Sequence, residues 1–161
     1  MTLKEHLLEW LIRPEQYYIC KYLRFLRKEE KYTFVRPIKL LAFWFRARKN
    51  RLGSRLGFII SAGCFEEGLQ LEHYGSVIVN PKSHIGRNCR IHGNCCIGSN
   101  GGYPDDSPII GDNVDIGQGA QILGGIKIAD GVRIGAGAIV ITDIPVPNVT
   151  VVGIPARIVD R

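Results

Sequence analysis

The stretch VIVNPKSHIGRNCRIHGNCCIG, Val77 to Gly98, places an aliphatic residue at every sixth position. The same step resumes after a gap, and the rhythm holds Val79, Ile85, Ile91, Ile97, Ile110, Ile116, Ile122, Ile128, Ile134 and Val140. Glycine often follows, which suits a chain that turns at a tight corner. A six-residue period is typical of a parallel β-helix, in which short strands form flat faces and three hexapeptides complete one triangular coil. The aliphatic residues then form columns inside stacked coils.

A second column of small or β-branched residues lies two positions before the first. Its members are Val77, Ser83, Cys89, Cys95, Val114, Ala120, Val132 and Ala138. This pattern indicates that Cys89 and Cys95 are small buried core residues rather than nucleophiles or metal ligands.

The rhythm is interrupted once and begins with an unexpected residue. From Ile97 to Ile110 there are seven residues too many, and the segment 99–108, SNGGYPDDSP, has the composition of a loop. One step before Val79 stands His73, which by this count shares a column with Ile91, Ile116 and Ile134. The sequence therefore predicts an imidazole at the open start of an aliphatic column.

The first 57 residues follow a helical period instead. Apolar residues recur there at spacings of three and four residues. Pro14 and Pro37 mark helix starts and Gly53 marks a helix end, so the pattern predicts three short helices. The segment carries 14 Lys or Arg against 5 Asp or Glu, whereas the remainder carries 7 against 10. The predicted division is therefore a basic helical segment, 1–57, and a β-helix, 58–161.

Length and composition narrow the class of protein. With 161 residues, 45% of them hydrophobic, the chain suits one globular unit with an appendage. It has no apolar run of transmembrane length, and Glu5 and Glu9 interrupt a signal-peptide layout. Five cysteines, an odd number, suit a reducing compartment, so the expected location is cytoplasmic.

Three interpretations of His73 remain at this stage. It can be a structural residue bonded to a backbone carbonyl, a metal ligand together with His84 and His92, or a general base with a near-neutral pKa. His84 precedes its aliphatic position and His92 follows its own, so these two imidazoles occupy different steps of the coil and need not converge. The pattern disfavours a metal site.

The sequence LEHYGSVIVN, the hexapeptides, the loop, GAGAIV and VGIPARIV together resemble the serine acetyltransferase branch of the hexapeptide acyltransferases, over about residues 70 to 161. The resemblance implies a left-handed parallel β-helix, a homotrimer and acetyl-CoA as acyl donor, with no metal. It implies that His73 is the catalytic base. It also places Gln118 and Ala136 along the cofactor groove, and Arg133 and Arg157 near the cofactor phosphates.

The chain departs from that branch at the acceptor site. Where serine acetyltransferases carry an Arg-His pair, this chain reads Asp106, Ser107 and Pro108. The family aspartate that orients the histidine falls at Phe58, which leaves Glu66, Glu67 and Glu72 as candidates.

Short basic members of this branch are similar to capsule and exopolysaccharide O-acetyltransferases. The predicted function is therefore acetyl transfer to a sugar hydroxyl in polysaccharide biosynthesis, with Glu72, Tyr103, Asp105 and Asp106 toward the substrate. The alternatives are serine O-acetylation for cysteine biosynthesis and a non-catalytic scaffold. No nucleic acid partner is expected.

The basic segment leaves two hypotheses open. Its aromatic residues, among them Trp10, Tyr17, Tyr18, Trp44 and Phe45, can enter the interface of an anionic membrane while the cations meet headgroups. Alternatively they pack the helices against the base of the β-helix. The first hypothesis adds peripheral contact with the inner membrane face to the expected cytoplasmic location.

Overall fold

A computed structural model describes residues 11–12, 14–102 and 106–159. Helix α1 runs from Pro14 to Glu30, a π-helical turn covers Lys31–Val35, and α2 runs from Lys39 to Leu56. Of the three predicted helices, the first lies outside the described residues except for Leu11 and Ile12. None of the described helices is long and apolar enough to cross a membrane.

Within the described residues, fourteen short strands follow the helices. They are β1 (Phe58–Ile59), β2 (Gln70–Leu71), β3 (Val77–Val79), β4 (His84–Ile85), β5 (Arg90–Ile91), β6 (Cys95–Gly98), β7 (Ile109–Ile110), β8 (Asp115–Ile116), β9 (Gln121–Leu123), β10 (Lys127–Ile128), β11 (Arg133–Ile134), β12 (Ile139–Val140), β13 (Thr150–Gly153) and β14 (Ala156–Val159).

The strands form the three faces of a left-handed parallel β-helix, which confirms the predicted fold class. Sheet A has the order β1-β3-β6-β9-β12, sheet B the order β4-β7-β10, and sheet C the order β2-β5-β8-β11-β13-β14. All pairs in these sheets are parallel except β13 with β14, which closes the end of the chain as an antiparallel hairpin.

The columns inside the β-helix follow the predicted rhythm from Val79 onward. Ile85, Ile110 and Ile128 are register partners in sheet B, and Ile97 and Ile122 are partners in sheet A. All of these side chains are buried, as are the small residues two positions before each aliphatic one. The loop at 99–108 therefore leaves the register of the coils intact.

The predicted position of His73 is wrong. The register partner of Ile91 is Leu71, not His73, so Leu71 begins the column that continues through Ile116 and Ile134. From Leu71 to Val79 the chain takes eight steps rather than six, and the two additional residues form a longer corner. Because of this extension, His73 lies outside the coil with its side chain 59% exposed.

The predicted helix stop at Gly53 is also wrong, since α2 continues to Leu56 and ends with Gly57 in the left-handed conformation at φ 87°. Gly53 is buried inside α2, where a Cβ atom would come within 2.5 Å of the carbonyl oxygen of Phe58. Glycine is required there by the close approach of α2 to β1, not by a turn.

A buried ion pair attaches α2 to α1 and to the first coil. Lys49 is 3% exposed, and its Nζ lies 2.9 Å from Oε2 of Glu29 and donates a 2.7 Å hydrogen bond to the carbonyl of Ile60. Arg46 contacts the other carboxylate oxygen of Glu29 at 2.7 Å. Cations from α2 therefore neutralise the carboxylate that α1 buries.

Thiol labelling tests the packing of the cysteines. Burial raises the pKa of the Cys89 thiol to about 11 and raises the pKa of the Cys64 and Cys95 thiols. Thiolate is the reactive form, so these three are expected to resist labelling near pH 8 until the protein is unfolded, whereas exposed Cys20 reacts at once. Mass spectrometry after timed labelling measures each site, and Cys20→Ser should remove the fast label at position 20 while Cys89 and Cys95 stay unlabelled. Rapid labelling of Cys89 in the folded protein would contradict the packing.

Candidate active site

The extended corner between sheets C and A carries Glu72, His73 and Tyr74, and the start of α1 packs against it. The backbone N–H of Tyr74 donates a 2.6 Å hydrogen bond to Oε1 of Glu15. Gln16 donates from Nε2 to the carbonyl of Glu72 at 2.9 Å, and the Tyr74 hydroxyl donates to the carbonyl of Pro14 at 3.1 Å. Pro14 suits the first helical position because its missing N–H is not needed there. The helix start therefore fixes the conformation of the corner.

The carboxylate beside His73 comes from this helix. Oε1 of Glu15 lies 3.6 Å from Nδ1 of His73, which is longer than a hydrogen bond but close enough for electrostatic contact with an imidazolium. Desolvation and the nearby Glu15 raise the pKa of the Tyr74 hydroxyl, which keeps it protonated as a donor. Glu15 lies 58 positions before His73, and only the Pro-Glu helix start marks it in the sequence.

The three carboxylates named from the sequence have other neighbours. Glu66 contacts Nε of Arg87 at 3.1 Å at the corner between sheets B and C. Glu72 contacts Nε of Arg90 at 3.2 Å. Glu67 is exposed and lies with Glu66 on that remote corner, where its backbone carbonyl accepts from the N–H of Asn88. The contact with His73 is made by Glu15 instead, so these candidates are corrected.

A second imidazole lies next to His73 on the following coil. The ring centroids of His73 and His92 are 6.4 Å apart, and Nε2 of His92 lies 3.2 Å from Oδ1 of Asp115 on the coil after that. The extended corner brings His73 over His92, a proximity that was not predicted from the sequence. His84 stays apart on sheet B. No group of three or more His, Cys, Asp or Glu side chains within the described ranges could hold a metal ion.

An edge of glycine-rich corners leads away from His73 along the β-helix. A Cβ on Gly93 would lie 3.9 Å from Cβ of His73, so the corner that contains Gly93 stacks on the corner that contains His73. The N–H of Gly119 then donates to the carbonyl of Gly93 at 2.9 Å, and the N–H of Gly137 donates to the carbonyl of Gln118 at 2.8 Å. Gln118 and Ala136, named from the family resemblance, are exposed on this edge.

Of the two arginines named for phosphate contacts, one borders the far end of that edge and the other does not. Arg133 is exposed on β11. In sheet C its register partners are Asp115 on β8 and Thr150 on β13. Arg157 is exposed on β14 opposite Val152, and Val152 packs over Gly135. Arg157 therefore borders the last corner of the edge, whereas Arg133 lies on the adjoining face.

Asp106, the one loop residue named for the acceptor that the structure describes, belongs to a different corner. Tyr103 and Asp105 lie outside the described residues. Asp106 is half-buried against Gly125, where a Cβ would approach its Oδ1 to 2.3 Å. This is the corner between sheets A and B, while His73 is on the corner between sheets C and A. Within one chain, the width of sheet A separates Asp106 from His73, and the structure does not bring them together.

Substitution of Glu15 tests its hydrogen bond to the corner. Glu15→Ala removes the acceptor for the Tyr74 N–H, and a lost bond of about 1 kcal/mol corresponds to roughly fivefold faster amide exchange at Tyr74. Glu15→Gln keeps an acceptor oxygen and should exchange like the wild type. Hydrogen exchange read by NMR measures this, with Glu67→Ala as the matched control. Unchanged exchange in Glu15→Ala would show that the bond from the Tyr74 N–H to Glu15 does not stabilise the corner.

Comparison with known proteins gives one family match and several relatives. Residues 107–142 match the family of bacterial transferase hexapeptide repeats, described as six repeats. A probable serine acetyltransferase 1 from Oryza sativa subsp. japonica is 44% identical over 98 residues, which are 60% of this chain and 32% of that protein.

Two solved structures are similar over most of this chain. Soybean serine acetyltransferase complexed with serine superposes with a TM-score of 0.72 at 30% identity, covering 94% of this chain and 60% of that one. The Brucella abortus enzyme in complex with coenzyme A gives a TM-score of 0.68 at 30% identity, covering 85% and 54%. This chain thus spans between a third and three fifths of the length of these relatives. It carries the hexapeptide repeat of the bacterial transferases and is similar in sequence and fold to serine acetyltransferases.

Proposed function

We propose that the protein is an acetyl-CoA-dependent O-acetyltransferase that acetylates a hydroxyl group. The observation that carries this proposal is the exposed His73 on an extended corner, next to Glu15 and at the head of the edge that presents Gln118 and Ala136. The similarity to serine acetyltransferases, one of them solved with coenzyme A, supports acetyl-CoA as the donor along this edge. A non-catalytic scaffold would give no reason for an exposed histidine at such a corner.

The geometry assigns separate roles to the two ring nitrogens of His73. Because Nδ1 faces Glu15, Nε2 is the nitrogen that accepts the proton of the acceptor hydroxyl. The hydroxyl oxygen then forms a bond to the thioester carbonyl carbon, the carbon–sulfur bond breaks, and His73 returns the proton to the coenzyme A thiolate. Glu15 stabilises the imidazolium during this step and holds the ring orientation.

Serine is the acceptor that the comparisons favour. The relatives are named serine acetyltransferases, and the soybean enzyme has been solved with serine. They support the alternative function better than acetyl transfer to a polysaccharide sugar, which was the main prediction from the sequence. Serine O-acetylation is therefore the first candidate for this chain.

A sugar hydroxyl remains a second candidate because of the charges near the site. The loop 99–108 contains no Lys or Arg, and the family resemblance implies a cationic residue where this chain has Asp106. Near His73, Arg90 contacts Glu72 at 3.2 Å and lies 4.0 Å from Asp115, so its charge is already balanced. A neutral polyol meets this acidic surface without the repulsion that a carboxylate suffers.

A homotrimer would complete the site. The outer surface of sheet A carries a column of register partners, Ile59, Ile78 and Cys96, of which Ile59 is 63% exposed. This surface lies between the corner of His73 and the corner of the loop. A neighbouring copy packed near it would bring its own Asp106 loop toward His73, with Glu72, Tyr103 and Asp105 at the acceptor. The same proposal places the enzyme in the cytoplasm, since its cysteines are free.

Replacement of His73 tests the catalytic assignment. His73→Ala should lower kcat by about 10² to 10⁴ with the melting temperature unchanged, because a positioned base is lost and an exposed side chain is removed. His84→Ala is the matched control, since His84 is also an exposed histidine but lies on another sheet. Coenzyme A release measured with a thiol reagent gives the rate. Full turnover by His73→Ala would contradict the assignment, and unfolding of the variant would indicate a structural role.

Acceptor choice is tested by product formation from acetyl-CoA with free serine, nucleotide sugars and oligosaccharides, after correction for hydrolysis. We expect turnover with serine, and Asp106→Arg should raise kcat/KM for serine by supplying a cation for its carboxylate. Turnover restricted to saccharides, reduced by the same substitution, would favour the sugar candidate instead.

Sedimentation should show a trimer, and an active monomer would contradict the shared site.

A further inference from the structure

The end of the helical hairpin away from His73 exposes an unusual number of large apolar side chains. Within residues 34–44 the exposed fractions are 63% for Phe34, 74% for Val35, 77% for Leu40 and 68% for Phe43. Ile38 and Trp44 are also exposed, and we call these six residues the apolar patch. Leu40, Phe43 and Trp44 lie at positions i, i+3 and i+4 of α2, so they share one side of the helix.

The opposite side of α2 already packs the hairpin onto the β-helix. Its buried residues are Ala42, Phe45, Lys49, Gly53 and Leu56. Phe45 was one of the aromatic residues expected at a membrane from the sequence, and its burial excludes it. Tyr17 and Tyr18 are half-buried on α1, and Trp10 lies outside the described residues. The apolar patch is therefore a second, outward side of the hairpin, distinct from its packing side.

Positive charge surrounds the apolar patch. The segment 31–57 contains eight Lys or Arg residues and no Asp or Glu. Two of the eight, Arg46 and Lys49, neutralise Glu29. Of the others, the exposed Arg36, Lys39 and Arg48 lie outside ion-pair distance of every carboxylate in the described part of the chain, and Arg48 stacks over Trp44 at 4.6 Å. Exposed aromatics and aliphatics next to unpaired cations are the chemistry of interfacial membrane segments.

We propose that the apolar patch inserts into the interface of a membrane that contains anionic lipid, with Arg36, Lys39 and Arg48 at the headgroups. A second copy of the same patch is a poorer partner, because a two-fold contact would face these cations with one another. This inference goes beyond acetyl transfer and does not depend on it. The α1 helix, about 25 Å long at 1.5 Å per residue, separates the patch from Glu15 and His73, so membrane contact leaves the corner exposed.

Vesicle flotation of the full chain tests the proposal. Wild-type protein should float with vesicles of equal parts phosphatidylcholine and phosphatidylglycerol at low salt, and remain unbound with phosphatidylcholine alone. The double variant Leu40→Ser, Phe43→Ser should lower the bound fraction about tenfold while keeping all cations. The variant Arg36→Glu, Lys39→Glu should abolish binding. Ile109→Ser is the matched control, because Ile109 is 50% exposed on sheet B and should bind like the wild type.

Circular dichroism should show every variant folded. Failure of the wild type to float at low salt would overturn the proposal. Binding that survives Leu40→Ser, Phe43→Ser but disappears with charge reversal would indicate simple polyanion attraction, and would also overturn it. If sedimentation shows that the same double variant dissociates an oligomer, the patch is an interface between copies instead.

Discussion

The constraint on which the structure depends is the fixed height of one coil, which stacks aliphatic side chains directly over one another. Register partners such as Ile91, Ile116 and Ile134 repeat at the strand spacing of about 4.8 Å. Each such buried side chain contributes on the order of 1.5 to 3 kcal/mol. A side chain that left this column would create a cavity in two coils at once. The strands therefore tolerate little variation, and variation is confined to the corners.

Corners are where the molecule acquires its chemistry. The corner after Leu71 is two residues longer than the six-residue period requires. This extension places His73 outside the interior, while Leu71 keeps the column intact. The seven-residue excess at 99–108 produces the loop at another corner without disturbing the pairing of Ile85 with Ile110. Both insertions are compatible with the fold because a corner faces solvent and the next strand resumes the same register. The β-helix thus acts as a rigid support for short variable segments.

The helical hairpin links this support to the site. Its buried Glu29 would be costly alone, and Lys49 and Arg46 from α2 offset that cost. Two residues before Glu29 on α1, Arg27 donates to the backbone carbonyls of Phe65 and Glu66, which attaches the last turn of α1 to the first coil. The start of α1 consequently arrives at the corner of His73 with Glu15 in place. A segment that looks like a cap in sequence is part of the candidate site, and its outward side remains available for a membrane.

The sequence by itself determined the β-helix. A column of stacked side chains requires an aliphatic residue at every sixth position, and this period of Ile and Val can be recognised in a single sequence. It also determined that Cys89 and Cys95 are buried, since they keep the step of the small column. The family resemblance named Gln118 and Ala136, and the two residues are exposed on stacked corners of one edge, because residues one coil apart lie over one another.

Only the tertiary structure decided the surroundings of His73. Counting in sixes assigned His73 to the interior, since a six-residue count does not register two additional residues at a corner, and Leu71 is the true start of the column. The proximity of Glu15 depends on how α1 packs, and the Gly53 position depends on the approach of α2 to Phe58. The separation of Asp106 from His73 depends on which corner each occupies. These facts involve contacts between segments that no local period records.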